Sequence, residues 1–284
     1  MLALSFSTFL RRIVFGACLV LGASTVACEK SQPRTALSYT ADAKRAYDEA
    51  MEEFRSHNWI EAESLFREVK RKYSYSKYAR LAELRIADAD FEQEKFAEAM
   101  REYRQFVHDH RSDVEEVSYA RARIAEAEYK QISDSFLLPT ADERDQAVIL
   151  DAFKELKGYV HDYPESKDSA KIRALLADVT ARLMRHELYV ARFYLFRDNY
   201  DAAVLRVQYA MRNFAAGPQL KGGPEPVDSG LEAEALLLLG EVYLKMHKWK
   251  DARSQFDAIV RDYPKSALIV QAQNYLDYMK ERGV

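Results

Sequence analysis

Two heptapeptides one hundred residues apart nearly coincide. Val160-His161-Asp162-Tyr163-Pro164-Glu165-Ser166 and Val260-Arg261-Asp262-Tyr263-Pro264-Lys265-Ser266 agree at five of seven positions. Each closes an amphipathic segment and precedes another, and a proline there cannot continue a helix, so the chain must turn. A chain that repeats this punctuation is built from copies of one helical unit, and each copy must bury its apolar stripe on the next. With only 9 Gly and 7 Pro in 284 residues, the chain lacks the frequent turns of a sandwich or barrel. No β-branched runs ending in glycine turns suggest a doubly wound sheet. Helices must dominate.

Working back from Pro264, one helix carries Leu236, Leu239, Gly240 and Tyr243, Trp249 follows at a turn, and a second helix carries Ala252, Phe256 and Ile259. These residues occupy the positions of the tetratricopeptide (TPR) unit, a helix pair of about 34 residues. Gly240 and Ala252 are small so that the two helices can approach, and Tyr243 and Phe256 fill the space around the contact. The frame recurs in Trp59, Ala62, Phe66, Val69; in Phe96, Ala99, Tyr103, Phe106; in Ala152, Leu156, Tyr159, Pro164; and in Ala191, Tyr194, Tyr200, Ala203, Val207, Ala210. The key alanines, 62, 99, 152, 203 and 252, are spaced by 37, 53, 51 and 49 residues. All but the first gap require longer helices or inserted loops. Residues 133–145 and the Gly/Pro-rich 217–230 supply two such loops. The expectation is an all-α TPR α-solenoid of about five helix-turn-helix repeats, with repeats 1–2 and the start of repeat 3 in 41–135 and repeats 3–5 in 136–284. A generic helical bundle is the alternative.

The front end has its own logic. Arg11 and Arg12 precede Ile13–Ala27, 15 residues without a charge. That is too short for a bilayer-spanning helix, which takes about 20 residues, and suits a secretory signal. The stretch ends Thr25-Val26-Ala27-Cys28, which resembles a bacterial lipobox, although the usual residue at the position of Thr25 is Leu. Residues 1–27 are expected to be a lipoprotein signal peptide, Cys28 the lipidated residue, and 28–40 a flexible tether. An ordinary secreted protein and twin-arginine export are the competing readings. The resemblance implies a membrane attachment through several acyl chains, which is stable where a single chain is not. Glu29, in place of an aspartate that would retain a lipoprotein in the inner membrane, favours the outer membrane.

Several function classes fall away. The two cysteines, Cys18 and Cys28, both lie near the N-terminus, so the body has no disulfide framework, Cys-zinc site or Cys nucleophile. The net charge of -3, from 42 basic and 45 acidic residues, provides no field for nucleic acid. Of the six histidines only His108 and His110 are close. Two positions apart on a helix, they point away from each other. No phosphate-loop, dinucleotide, zinc-protease or nucleophile-elbow motif occurs. Neither metal, cofactor nor enzymatic activity is expected.

The segment Glu187-Leu188-Tyr189-Val190-Ala191-Arg192-Phe193-Tyr194, followed by Asn199-Tyr200-Asp201-Ala202-Ala203-Val204-Leu205-Arg206, carries a narrower resemblance. It is similar to the fourth repeat of the BamD family, TPR lipoproteins of the outer-membrane β-barrel assembly machinery. Arg144-Asp145, Phe153 and Tyr163-Pro164-Glu165-Ser166 resemble the third repeat. The family usually closes its first two repeats with proline, where this chain has Tyr73-Ser74-Tyr75-Ser76 and His110-Arg111-Ser112-Asp113. The resemblance implies an adaptor at the periplasmic side of the outer membrane. Its partners would be a BamA-like barrel protein, other lipoproteins of the complex and unfolded outer-membrane proteins. Arg206, with Tyr200 and Glu187, would form the partner-binding site, Arg206 meeting a carboxylate on the periplasmic domains of BamA.

Residues on the first helix of each pair in TPR stacks receive segments of partners. Lys44, Tyr47, Met51, Phe54 and Arg55 of the first repeat, with Leu84, Asp88 and Phe91 of the second, are therefore candidates for a client-peptide groove. Aromatic and basic side chains would suit a peptide ending in an aromatic residue and a carboxylate. The competing reading makes Tyr47, Phe54 and Phe91 core residues between helices. At the level of function, the alternatives are a TPR lipoprotein scaffold for another envelope assembly (cell-wall, secretion or pilus) and a glycan-holding accessory.

Overall fold

The computed structural model describes residues 36–132, 145–215 and 229–284. The expected signal peptide, Cys28 and most of both inserted loops lie outside them. Eleven α-helices follow one another in the described residues: α1 (Ala36–Arg55), α2 (Trp59–Lys72), α3 (Lys77–Glu92), α4 (Phe96–Asp109), α5 (Val114–Lys130), α6 (Ala147–Asp162), α7 (Ser169–Phe196), α8 (Tyr200–Phe214), α9 (Glu232–Lys245), α10 (Trp249–Asp262) and α11 (Ile269–Glu281). The tether was expected to reach residue 40, but α1 starts at Ala36. The sequence there, Ala36-Leu37-Ser38-Tyr39-Thr40, holds no Gly or Pro to stop a helix. Residues Met1–Asp42 and Ala43–Val284 fall into two units. The second is one continuous stack, so the boundary expected at 135/136 separates groups of repeats within a single body.

Within that stack, the closest backbone packing is between helices adjacent in the chain, together with the next-but-one pairs α5/α7 and α7/α9. This is the near-neighbour pattern of a solenoid. The pairs are α1/α2, α3/α4, α5/α6, α7/α8 and α9/α10, with α11 closing the end. Ala62, Ala99, Ala152, Ala203 and Ala252 are all fully buried. So are the residues four positions later, one turn along the same face: Phe66, Tyr103, Leu156, Val207 and Phe256. Spacing that departs from the consensus has a visible cause in the fourth pair, where α7 runs for 28 residues.

The four fully described turns within pairs share one geometry. His57, Glu94, Asp198 and His247 have φ of 62°, 61°, 54° and 57°. The next residue's N–H reaches back five residues in each: Asn58 to the Glu53 carbonyl (3.0 Å), Lys95 to Asp90, Asn199 to Tyr194 and Lys248 to Tyr243 (2.9 Å each). This is the Schellman helix end, which satisfies orphan carbonyls and normally uses glycine at the left-handed position. Here an aromatic follows two residues later at Trp59, Phe96, Tyr200 and Trp249 and starts the second helix. Trp59 stands edge-on to Phe54 at 4.9 Å, and Phe96 to Phe91 at 5.3 Å.

The fully described turns after pairs one, two, three and five are equally uniform. Tyr73, His110, Tyr163 and Tyr263 each accept an N–H from three residues on: Ser76 (2.8 Å), Asp113 (2.9 Å), Ser166 (3.2 Å) and Ser266 (2.9 Å). The first two repeats thus build, without proline, the turn that Pro164 and Pro264 mark in the third and fifth. Ser76 adds an N-cap, accepting from the N–H groups of Tyr78 and Ala79. The close approach read at Gly240 is real. A Cβ there would lie 2.5 Å from Cε1 of Phe256.

Candidate functional site

The first helices of successive pairs stand side by side, and polar contacts cross every junction of this row. Burial raises the pKa of the Tyr47 hydroxyl on α1, and the charge of Arg85 on α3 offsets part of that rise. Between α3 and α5, the Tyr119 hydroxyl donates to Asp88 at 2.7 Å and Arg123 pairs with Glu92 at 3.0 Å. Lys171 of α7 meets Glu126 of α5 at 2.7 Å, and Tyr129 donates to Asp178 at 2.9 Å. Arg192 of α7 pairs with Glu234 of α9, and Tyr275 of α11 donates to Glu241 of α9 at 3.0 Å.

Asp88 is the hub of the densest part. It is 1% exposed and accepts from Arg85, Tyr103 and Tyr119. The Arg123 guanidinium lies 3.7 Å over the Phe91 ring and donates to the Tyr103 hydroxyl at 3.3 Å. A buried carboxylate is tolerated only when paired and hydrogen-bonded in this way. Burial, reinforced by the Asp88 charge, pushes the Tyr103 and Tyr119 hydroxyls well above the usual tyrosine range. Neighbouring Asp88 and tyrosine oxygens hold Arg85 and Arg123 firmly protonated against a large desolvation cost. Sequence reading placed Asp88 on the groove and missed Arg85, Tyr119 and Arg123. The available signal was a carboxylate between Leu84 and Phe91 on a single helical stripe.

The residues expected in the client groove are only partly brought together. Tyr47 is half-buried, its ring 5.5 Å from Phe66 and 5.7 Å from Tyr78. Phe54 is half-buried against Trp59, and Arg55 is exposed. Lys44 is exposed and paired to Asp48, which raises its pKa. Phe91 is a correction: at 8% exposure, roofed by Arg123 and flanked by Phe96, its ring belongs to the core between repeats. The basic group that accompanies Tyr47 is Arg85 from the neighbouring repeat.

On the fourth pair, Arg206 of α8 extends over α7 and its Nη1 donates to Glu187 at 3.2 Å. Glu187 is 8% exposed, while the Arg206 side chain keeps 44% of its surface accessible. The guanidinium therefore neutralises a buried carboxylate and still faces outward. Tyr200 does not join them. It sits at the turn, six positions earlier on α8 or about 9 Å along the helix, and donates to Asp198 at 2.7 Å.

Helix pairs with Schellman turns, small residues at the crossings and a polar row along the first helices define a TPR solenoid. A TPR family matches residues 234–266, the fifth pair. The family described as "Outer membrane lipoprotein", YfiO, matches residues 40–223, and the chain belongs to it. No helix of the described residues is long and apolar enough to cross a membrane. Among relatives, the protein named outer membrane protein assembly factor BamD of Neisseria meningitidis (serogroup A, strain Z2491) is 23% identical over 267 residues, covering 93% of this chain and 95% of that protein. The BamD of Caulobacter vibrioides is 24% identical over 262 residues, 92% of this chain and 79% of its own length. That of Pasteurella multocida is 31% identical over 116 residues, 41% of this chain and 40% of its own length.

Proposed function

We propose that this chain is an adaptor of the machinery that assembles outer-membrane β-barrels. It is held by lipid on Cys28 and faces the periplasm. It docks on the periplasmic domains of a BamA-like barrel protein through the Arg206–Glu187 surface of the fourth pair. Its first repeats receive segments of unfolded barrel clients along Lys44, Tyr47, Phe54 and Arg55, with Arg85 as an additional cation. No chemical step is involved; binding works by complementarity. An arginine that meets a partner carboxylate in a desolvated interface is worth far more than a rim contact. The observation that carries the reading is the outer membrane lipoprotein family match across 40–223, which spans both proposed surfaces. The test is purification of the tagged full chain from detergent-solubilised native membranes. A barrel-forming partner with periplasmic domains should come with it. Recovery instead of a cell-wall, secretion or pilus assembly, with no barrel protein, would overturn the proposal in favour of the other envelope scaffold.

A further inference from the structure

A cleft of about 550 Å³ opens between the N-terminal turn of α5 and the turn joining α6 to α7. Its apolar walls are Val114, Tyr119, Tyr163 and Pro164. The polar groups between them are already satisfied: the Tyr159 hydroxyl donates to Ser166 Oγ at 2.8 Å, and Ser118 Oγ donates to the same oxygen at 3.1 Å. Tyr119 is locked in place through its bond to Asp88. Val114, at the mouth, is 71% exposed, so the cleft is an open slot of a size that takes a ligand.

The rim is acidic. Glu115, Asp162, Glu165 and Asp168 face a single lining cation, Lys167. Lys167 stands 4.0 Å from Glu115, whose side chain is 85% exposed. Asp162 is drawn to His161 and Arg121. Asp168 differs from the other acids, because its Oδ2 is buried and has no hydrogen-bond partner. The matching slot of the fifth pair, about 450 Å³, lies at Tyr263-Pro264-Lys265-Ser266. Its two acids are engaged internally: Glu232 is 2% exposed and accepts from Ser229, and Asp262 pairs with Arg261.

We infer that the α5/α6–α7 cleft is a docking site for a protein segment that presents an apolar side chain beside an arginine. The apolar group fills the slot between Val114, Tyr119 and Tyr163. The guanidinium, a multiple donor suited to carboxylates and aromatic faces, meets the exposed rim acids Glu115 and Glu165. This site lies on a different pair from Arg206 and does not depend on which protein docks there.

The test uses purified full chain in detergent and three fluorescein-labelled pentapeptides, read by anisotropy at chain concentrations up to about 1 mM, since single-slot peptides of this size bind weakly. The first contains phenylalanine followed by arginine; the second replaces the arginine with glutamate; the third replaces the phenylalanine with alanine. Saturable binding of the first, at least tenfold tighter than either control, is expected. Val114→Glu, and separately Glu115→Lys with Glu165→Lys, should each weaken it at least tenfold while circular dichroism stays unchanged. These positions are exposed, so the fold tolerates the changes. Absence of saturable binding, equal binding of the glutamate peptide, or indifference to Val114→Glu would each overturn the site. A concentration-dependent doubling of mass that Val114→Glu abolishes would do so too, by showing that a second copy fills the cleft.

Discussion

Gly240 offers a substitution whose sign depends on one neighbouring ring. Glycine inside a helix normally costs about 1 kcal/mol against alanine, so Gly240→Ala in α9 would stabilise an isolated helix. In this stack the new Cβ would fall 2.5 Å from Cε1 and 2.6 Å from Cζ of Phe256. Carbon atoms settle about 3.5–4.0 Å apart, so the ring must retreat by about 1 Å. It has nowhere to go, because Phe256 is fully buried and stacked on Tyr275 of α11 with centroids 4.8 Å apart. Overpacking of this kind costs about 1–3 kcal/mol. Together the two terms leave a net loss of up to about 2 kcal/mol, concentrated in the last pair because solenoid repeats can open locally. Native-state hydrogen exchange of α10 and α11, with urea unfolding, reads it directly. In a Phe256→Leu background, Gly240→Ala should instead be neutral or gain up to about 1 kcal/mol, a coupling that the double-mutant cycle isolates. Stabilisation of the parent chain by Gly240→Ala would refute the packing argument.

The left-handed turns give a prediction of opposite sign. His57→Gly, Glu94→Gly and His247→Gly should each stabilise by about 0.5–1 kcal/mol in urea titrations, since about 1–2 kcal/mol of left-handed strain is relieved against about 0.4–1 kcal/mol of extra unfolded-state entropy. Asp88→Ala should cost about 3–5 kcal/mol, the usual effect of removing one partner from a buried charged cluster; a urea-derived loss below about 1 kcal/mol would show that the cluster does not hold the second and third pairs together. The raised hydroxyls of Tyr103 and Tyr119 fix the alkaline limit. Both protons are kept in the folded state and lost first by the unfolded chain, so their contribution is intact below pH 10 and falls above it by about 1.4 kcal/mol per pH unit for each tyrosine. Urea midpoints from pH 8 to 12 that stay flat would contradict this.

What was legible in the sequence was whatever repeats. The alanine and the bulky residue one turn later announce every second helix, because helix crossings need the same small-large alternation in each unit. The proline turns are legible for the same reason, and the proline-free turns at Tyr73 and His110 are not, because backbone hydrogen bonds close them without any diagnostic residue. The start of α1 was missed because neither Gly nor Pro separates it from the expected tether. The polar row escaped for a different reason. Arg123 meets Glu92, Tyr119 meets Asp88 and Lys171 meets Glu126 across repeats of unequal length, so no fixed spacing reveals them. Phe91 looked like a groove aromatic because its stripe continues that of Leu84, and the Arg123 guanidinium above it and the Phe96 ring beside it make it core. Glu187 and Arg206 were grouped by resemblance, and the structure adds that they pair with each other.

That pairing supplies the sharpest test of the proposed adaptor role. The periplasmic domains of the barrel-forming partner can be titrated onto the chain with Arg206→Gln and with Glu187→Gln. If Arg206 meets a partner carboxylate, Arg206→Gln should weaken docking at least tenfold. Glu187→Gln, by releasing the guanidinium from its internal partner, should leave docking equal or tighter. Losses of the same size in both variants would mean that the pair only holds α7 against α8, and unchanged affinity in both would remove this surface from the interface.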